Sequence, residues 1–511
     1  MYFTQSLHRA VQQTPQAIAT VFGDRQRTWQ QCAERVARFA AALREVGVSP
    51  GDRVAILARN SDYYHEYLYA VPWAGGVVNP VNVRWSVQEI AYSLVDSGTR
   101  VLLVDSTFAH YVPDIRVLAE LDAVIYLGEC APGGLEYEAL IRRHDPVEDS
   151  FRGGSDLAGI FYTGGTTGTP KGVMLSHTNL LVSAMGFVAA QAPHPAGTTL
   201  HAAPLFHLAG LGMWLTRSTV GGTHAFVPAF EPTAVAAAIA EHAVADTLLV
   251  PSMIQMLLDT GAAADGALDS LRNLVYGASP ISDTLIERLL KELPSVRLTQ
   301  AYGMTELAPV AAVLDSAAHV DARLRRSAGR AATHTMVRIV NEHGEEAARG
   351  SLGEIAVRGS NVMLGYWNKP DQTAEALRGG WMHTGDAGWM DEHGYIFIVD
   401  RIKDMIVSGS ENVYSAEVEN ILAAHPAIAS CAVIGVPDPE WGERVHAVVV
   451  VAAGHEVTAE ELKAHCKSHI AGYKSPRSVE FVAGLPTSAA GKVLKTELRS
   501  KYWRDRDRSV N

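Results

Sequence analysis

Four glycines, four threonines and one lysine crowd the eleven residues Tyr162-Thr163-Gly164-Gly165-Thr166-Thr167-Gly168-Thr169-Pro170-Lys171-Gly172. Glycines let backbone N–H groups approach an anion closely, threonine hydroxyls add neutral donors and a lysine adds a cation, so the composition suits a polyphosphate. The segment lies between two strand-like runs, LAGIF and VMLSH. It is not a Walker A loop, which needs Gly-Lys-Ser/Thr opening a helix; here Pro170 precedes Lys171 and Gly172 follows it. Composition alone also allows a flexible surface turn, but the length and regularity of the segment favour phosphate binding.

Six further motifs follow in order: Pro204-Leu205-Phe206-His207, Tyr276-Gly277-Ala278-Ser279-Pro280, Ala301-Tyr302-Gly303-Met304-Thr305-Glu306, His383-Thr384-Gly385-Asp386, Asp400-Arg401-Ile402-Lys403-Asp404 and Ala490-Gly491-Lys492-Val493. With the glycine-threonine segment, this series resembles the adenylate-forming (AMP-binding) superfamily, in its acyl-CoA synthetase, or carboxylic acid–CoA ligase, branch. The resemblance covers nearly the whole chain. Gly164 departs from it, since many members carry serine there; the change removes a hydroxyl but keeps the backbone donors.

The resemblance implies an α/β fold. Its large N-terminal AMP-binding domain, residues 1–400, holds mostly parallel, helix-covered sheets and a β-rich subdomain, and a small mobile α+β domain, residues 401–511, follows. The implied reaction has two halves: a carboxylate attacks the α-phosphate of ATP to give an acyl-adenylate and pyrophosphate, and the thiol of coenzyme A then displaces AMP. Anion meets anion in the first half, so catalysis must come from positioning and from cations placed where negative charge gathers. By resemblance Lys492 is that cation, Glu306 holds the magnesium that accompanies ATP, and His207 lines the acyl pocket near the carboxylate. Thr163, Gly164, Gly165, Thr166, Thr167, Gly168, Thr169 and Lys171 surround the phosphates. Gly277, Ala278 and Ser279 lie along the adenine with Tyr302, Gly303, Met304 and Thr305. Asp386 and Arg401 meet the ribose, and Lys403 is the hinge of the small domain. Taken singly, a tyrosine is more often core than ligand and a glutamate is usually a solvated charge; motif order reverses that weighting.

For coenzyme A, Trp441 and Tyr473 offer flat surfaces, Lys474 and Arg84 offer cations for phosphates, and Ser408 with Gly409 resembles the loop lining the pantetheine tunnel. An amino-acid-adenylating domain is disfavoured, because the aspartate expected for an ammonium is replaced by Phe206-His207. The 19 residues beyond Lys492 are too few for a carrier domain. A luciferase-like oxygenase shares every motif above, and a non-catalytic protein of this fold would be expected to lose Lys492 or Glu306. Apolar segments at Met185–Ala190, Leu208–Trp214, Pro251–Met256 and Ala308–Ala312 are expected to line the acid pocket and bear no cation for a second carboxylate. They favour a medium or longer fatty acid, with an aryl acid of cinnamate or benzoate type as the alternative.

The elements that must hold these residues are legible as rhythm. From Arg53, β-branched runs alternate with helix-length segments (RVAILA, EYLYAVPWAGG, VVNPVN, VQEIAYSLVDSG, RVLLVD, AVIYLG), which reads as parallel sheet covered by helices. After about Leu324 the pattern changes to hairpins with His-Gly turns, and beyond Asp400 to a compact α+β pattern with a helix opened by Thr458 and Glu461 at capping-box spacing. The 511 residues correspond to about three average domains. With 43 basic and 55 acidic residues the net charge is −12, which gives no field for nucleic acid. Apolar residues at 48% and charged residues at 19% are ordinary globular values. Scattered cysteines argue against a zinc or disulfide framework. No signal peptide or membrane span is evident. The expectation is a cytoplasmic monomer or homodimer whose partners are a small carboxylic acid, ATP and coenzyme A.

Overall fold

The computed structural model describes residues 1–128, 134–163, 170–191, 197–408, 411–487 and 493–503. Among them the alternation that begins at Arg53 builds an eight-stranded sheet. Its centre runs parallel through Leu157–Thr163, Val77–Pro80, Arg53–Leu57, Val101–Asp105 and Ala123–Leu127. These strands are buried along most of their length, which is why they read as continuous Val, Ile and Leu runs. At one edge the parallel order ends: Leu157–Thr163 turns back into Lys171–Ser176 as an antiparallel hairpin that pairs Thr163 with Lys171 and Tyr162 with Gly172. The two-residue strand Gly365–Tyr366 covers the outer side of that hairpin.

A second sheet of nine described strands carries Thr223–Phe226, Thr198–His201, Val244–Leu249, Asn273–Gly277 and Arg297–Gly303 in parallel, and Val310–Leu314 continues it antiparallel. Helix Leu208–Val220 is buried over most of its surface, as its apolar sequence requires. Its one strong charge, Arg217, pairs with Asp246, both side chains fully buried. Thr199 Oγ1 accepts from Arg217 Nε at 2.7 Å, and Asn273 donates to Asp246. Such a pair is retained by the fold only because every partner is in place. Beside it His65, His201 and His224 are buried with Trp29 and Trp214. Trp214 Nε1 donates to His65 Nδ1 at 3.0 Å, and His201 Nε2 lies 2.9 Å from His224 Nδ1. Burial holds His65 and His201 down to about 3, and His224 well below the usual imidazole range.

The hairpin pattern after Leu324 forms an antiparallel sheet of Thr335–Val340, Gly353–Gly359, Met382–Met390 and Ile396–Arg401. Both of its His-Gly turns use one device: Asn341 Oδ1 accepts from the N–H groups of His343 and Glu345, and Asp391 Oδ1 from those of His393 and Tyr395. Gly344 and Gly394 supply the left-handed backbone, at φ +77° and +83°.

The last lobe pairs Ile428–Asp438 with Gly442–Val451 under helices Ser415–Ala423 and Ala459–His469. Thr458 and Glu461 form the capping box their spacing predicts. Asp400, near the end of the preceding sheet, caps helix Ser415–Ala423 from outside, accepting from the Ser415 N–H at 2.5 Å and hydroxyl at 2.6 Å. No described helix is long and apolar enough to cross a membrane.

Candidate functional site

The antiparallel register of Met382–Met390 and Ile396–Arg401 sets Asp386 directly opposite Arg401. The two form an ion pair, Arg401 Nε to Asp386 Oδ1 at 2.9 Å. From the nine-stranded sheet, Tyr302 donates its hydroxyl to Asp386 Oδ2 at 2.7 Å, so three sequence motifs converge on one carboxylate. Burial lowers the Arg401 pKa, but the Asp386 charge and its neighbours outweigh that and leave the guanidinium raised. Burial and Asp386 push the Tyr302 phenol well up, so it stays a donor. The strand bearing Asp386 is itself anchored: Glu354 accepts from Gly385 N at 3.0 Å and meets His383 Nδ1 at 2.7 Å. Gly277 pairs with Ala301 so closely that a Cβ there would lie 2.3 Å from the Ala301 carbonyl, and Ala278 follows at φ +64°. Ser279 lies beside them in the same turn.

Glu306 sits in the single turn Thr305–Leu307 that ends strand Arg297–Gly303, and it is buried. Burial raises its pKa, while the hydroxyl of Tyr366, 2.8 Å from Oε1, and the charges of Arg401 and Lys171 oppose the rise. Lys171 Nζ lies 5.2 Å from the centre of the Tyr366 ring. Tyr366 carries no signal in the sequence. A two-residue strand gives no periodic signal, and its place opposite Val173 emerges only from sheet register. Tyr162 opens the glycine-threonine segment, and its hydroxyl donates to Asp96 Oδ2 at 2.6 Å, fixing the base of the hairpin to helix Val87–Ser97, a partner that sequence spacing does not reveal.

A cavity of about 180 Å³ runs from Tyr302, Gly303, Met304 and Thr305 past Gly277 and Ala278 to an apolar wall of Phe187, Met213, Leu248, Val275 and Val310. His207 opens onto it at the N-terminal end of helix Leu208–Val220, whose cap position it occupies without a side-chain cap bond. Its Nε2 is buried with no described partner, and burial, then the charge of Arg84, brings the ring down to about 4. It is a neutral imidazole at physiological pH. Of the segments expected to line the pocket, those around residues 208–214 and 308–312 contribute. Pro251–Met256 does not: Met253 and Ile254 pack in a separate core. Of the segment 185–190 Phe187 contributes, joined by Ser183 and Ala184 earlier on the same helix, whereas Met185 is exposed.

The coenzyme A candidates do not form one cluster. Arg84 lies in the loop after Val77–Pro80, close enough to influence His207, whereas Trp441 and Tyr473 belong to the last lobe. Trp441 is stacked under Arg477, 4.3 Å from its ring centre, and Lys474 is paired with both oxygens of Glu417 at 2.8 Å, so neither is simply poised in solvent. Ser408 is buried in the short strand Ile406–Ser408. Thr163 and Lys171 bracket the phosphate-loop candidates, but Gly164, Gly165, Thr166, Thr167, Gly168 and Thr169 lie outside the described residues, as do Gly409 and Lys492. Lys403 belongs to the turn Ile402–Asp404, and its side chain is likewise outside the description.

Two helix-covered sheets, an antiparallel subdomain and a small α+β lobe are the architecture of adenylate-forming enzymes. A family model described as AMP-binding enzyme matches residues 7–367, and one described as AMP-binding enzyme C-terminal domain matches residues 417–492. A feruloyl-CoA synthase of an Amycolatopsis species is 42% identical over 97% of this chain and 98% of its own. A fatty acid–[acyl-carrier-protein] ligase of Streptomyces coeruleorubidus, ScoC, is 36% identical over 99% and 97%. Among solved structures, the amide bond synthetase McbA of Marinactinospora thermotolerans superposes with a TM-score of 0.89 at 30% identity, covering 97% of this chain and 99% of that one. The chain belongs to the AMP-binding enzyme family, in its acyl-CoA ligase branch, and is an AMP-forming acid–CoA ligase.

Proposed function

We propose that the acid activated is an aryl monocarboxylic acid, with ferulate and related cinnamates as the first candidates. The carrying observation is the cavity beside His207. Its wall is apolar and largely buried, which suits a monocarboxylic acid with an apolar body. His207 Nε2, which has no partner among the described residues, and the positive end of helix Leu208–Val220 give the carboxylate a place to sit at the nucleotide end. The feruloyl-CoA synthase relative supports the same reading, whereas the apolar segments alone, and the fatty acid ligase relative, favour a chain.

In this reading residues 1–400 hold both substrates and residues 401–511 move about Lys403. Tyr302 lies beside adenine, Asp386 accepts from the ribose hydroxyls with Arg401 donating to the same sugar, and the Thr163–Lys171 segment cradles the phosphates. Lys492 meets the carboxylate and α-phosphate oxygens. Magnesium fits the donors present. No described cluster of three or more His, Cys, Asp or Glu could hold an ion alone, but magnesium typically takes one or two carboxylates and completes its shell with phosphate oxygens and water. Glu306 is such a single buried carboxylate, and the ion bound there would neutralise charge on the polyphosphate. After pyrophosphate leaves, rotation of the small lobe brings Ser408, Gly409, Trp441, Tyr473 and Lys474 to coenzyme A, whose phosphates Arg84 meets from the large domain.

Pyrophosphate release with ferulate, coumarate, benzoate and straight-chain acids from acetate to palmitate tests the substrate assignment. An aryl acid is expected to exceed every fatty acid by about ten-fold or more in kcat/KM; a preference for laurate or palmitate would return the assignment to fatty acids. Proline at the hinge fixes φ and removes an N–H, so Lys403→Pro is expected to slow thioester formation more than adenylate formation. Equal losses in the two half-reactions would remove Lys403 from the hinge.

A further inference from the structure

The segment 363–367 is stitched on both sides to the candidate ATP site. Met363 N donates to the Glu306 carbonyl at 2.9 Å, Leu364 N to the Met174 carbonyl at 2.9 Å and Trp367 N to the Gly172 carbonyl at 2.7 Å. Tyr366 N donates to Thr373 Oγ1 at 2.9 Å. Held by these bonds, Tyr366 has no freedom to choose its partners. Its hydroxyl meets Glu306 Oε1 at 2.8 Å, and its ring, 8% exposed, lies under Lys171 Nζ. A carboxylate on a single turn has several rotamers, and a buried one needs a donor to select among them.

We propose that Tyr366 is a positioning residue for adenylation. Its hydroxyl fixes the rotamer of Glu306 and its ring seats Lys171, so the carboxylate and the end of the phosphate loop present a preset geometry to magnesium and polyphosphate. The inference rests on the assignment of Glu306 to magnesium and adds a residue that acts through it. It depends on register rather than on local sequence: the strand Gly365–Tyr366 carries the phenol to the sheet edge from which Lys171 emerges. Tyr366→Phe removes the donor yet keeps the ring, its packing and its contact with Lys171.

The test is equilibrium ATP binding with and without magnesium, read as the ratio of the two dissociation constants, on the full chain. Wild type is expected to gain affinity with magnesium. Tyr366→Phe is expected to lose about ten-fold of that gain, the worth of one charge-assisted hydrogen bond, with no change in melting temperature that would signal misfolding. Glu306→Gln tests the underlying assignment separately: if it leaves the magnesium gain intact, the metal site is elsewhere and both statements fall. If Glu306→Gln abolishes the gain while Tyr366→Phe leaves it at the wild-type value, the assignment stands and the positioning role is overturned. The double variant closes the cycle, since Tyr366→Phe should add nothing once Glu306 is gone, and additive losses would mean that the two act independently. Should Tyr366→Phe fold poorly, Glu306→Asp withdraws the carboxylate from the phenol by one methylene and is expected to give the same ten-fold loss; an unchanged gain in that variant would overturn the proposal.

Discussion

Lys492→Ala is expected to abolish acyl-adenylate formation, measured as pyrophosphate release, while the variant still converts a supplied acyl-adenylate to its thioester. The physical case is electrostatic. A carboxylate attacking an α-phosphate gathers negative charge between two anions, and two of the described cations near the site are already engaged: Arg401 is paired with Asp386, and Lys171 stands over Tyr366. A lysine brought in by the small lobe would meet that charge only when the lobes close, so its contribution falls on the transition state of one half-reaction. Losing one preorganised donor in a water-excluded site costs about 2.7–4 kcal/mol, or roughly 10²–10³-fold in rate. Pyrophosphate release at the wild-type rate would refute the role drawn from the Gly491-Lys492-Val493 motif.

The second large effect concerns acid. His65, His201 and His224 are buried and neutral, with pKa values depressed to about 3 for the first two and well below the usual range for the third. After burial, Asp62 raises His65 and Arg27 lowers it, while His201 and His224 are lowered by the neighbouring histidines of the group and then by Arg217. An unfolded imidazole binds its proton near pH 6.5, so below that pH the unfolded state holds more protons than the folded one, and stability falls as pH falls. It is fully present above about pH 6.5 and is lost progressively toward pH 3. Each group takes about 1.4 kcal/mol per pH unit, so three approach ~4 kcal/mol per unit, against total stabilities of roughly 5–15 kcal/mol. Urea midpoints followed by tryptophan fluorescence, to which Trp29 and Trp214 beside His65 contribute, are expected to drop steeply between pH 6.5 and 5. In His201→Phe the slope should fall by about one proton. A midpoint unchanged from pH 7.5 to 5 would contradict this account.

Much of the fold is legible in sequence because it is periodic. The buried parallel strands from Arg53 onward, the His-Gly hairpins and the Thr458–Glu461 cap each leave a local pattern, and each stands where the pattern predicts. The convergence of Tyr302, Asp386 and Arg401 follows from motif order plus one antiparallel register. Other features depend on which distant strand pairs with which. Tyr366 reaches Glu306 because a two-residue strand docks on Lys171–Ser176, and Tyr162 finds Asp96 across the sheet. The acid pocket is of the same kind. Apolar segments announce themselves, but the helix face that turns inward at Phe187 and outward at Met185 is set by packing, as is the burial of Met253 in another core.

The fully buried pair of Arg217 and Asp246 bears on how this protein's selectivity can be altered. Thr216, on the cavity wall, immediately precedes Arg217, which is tethered through Asp246 and Thr199 to the nine-stranded sheet. Removing either charge alone strands the other in a dry interior, at a cost of about 3–5 kcal/mol. The helix therefore has little room to slide or tilt to admit a bulkier substrate. Laboratory evolution toward new acids has to work by exchanging side chains such as Phe187 and Met213 on a fixed frame, and libraries that spare 217 and 246 should yield far more folded members than those that randomise them.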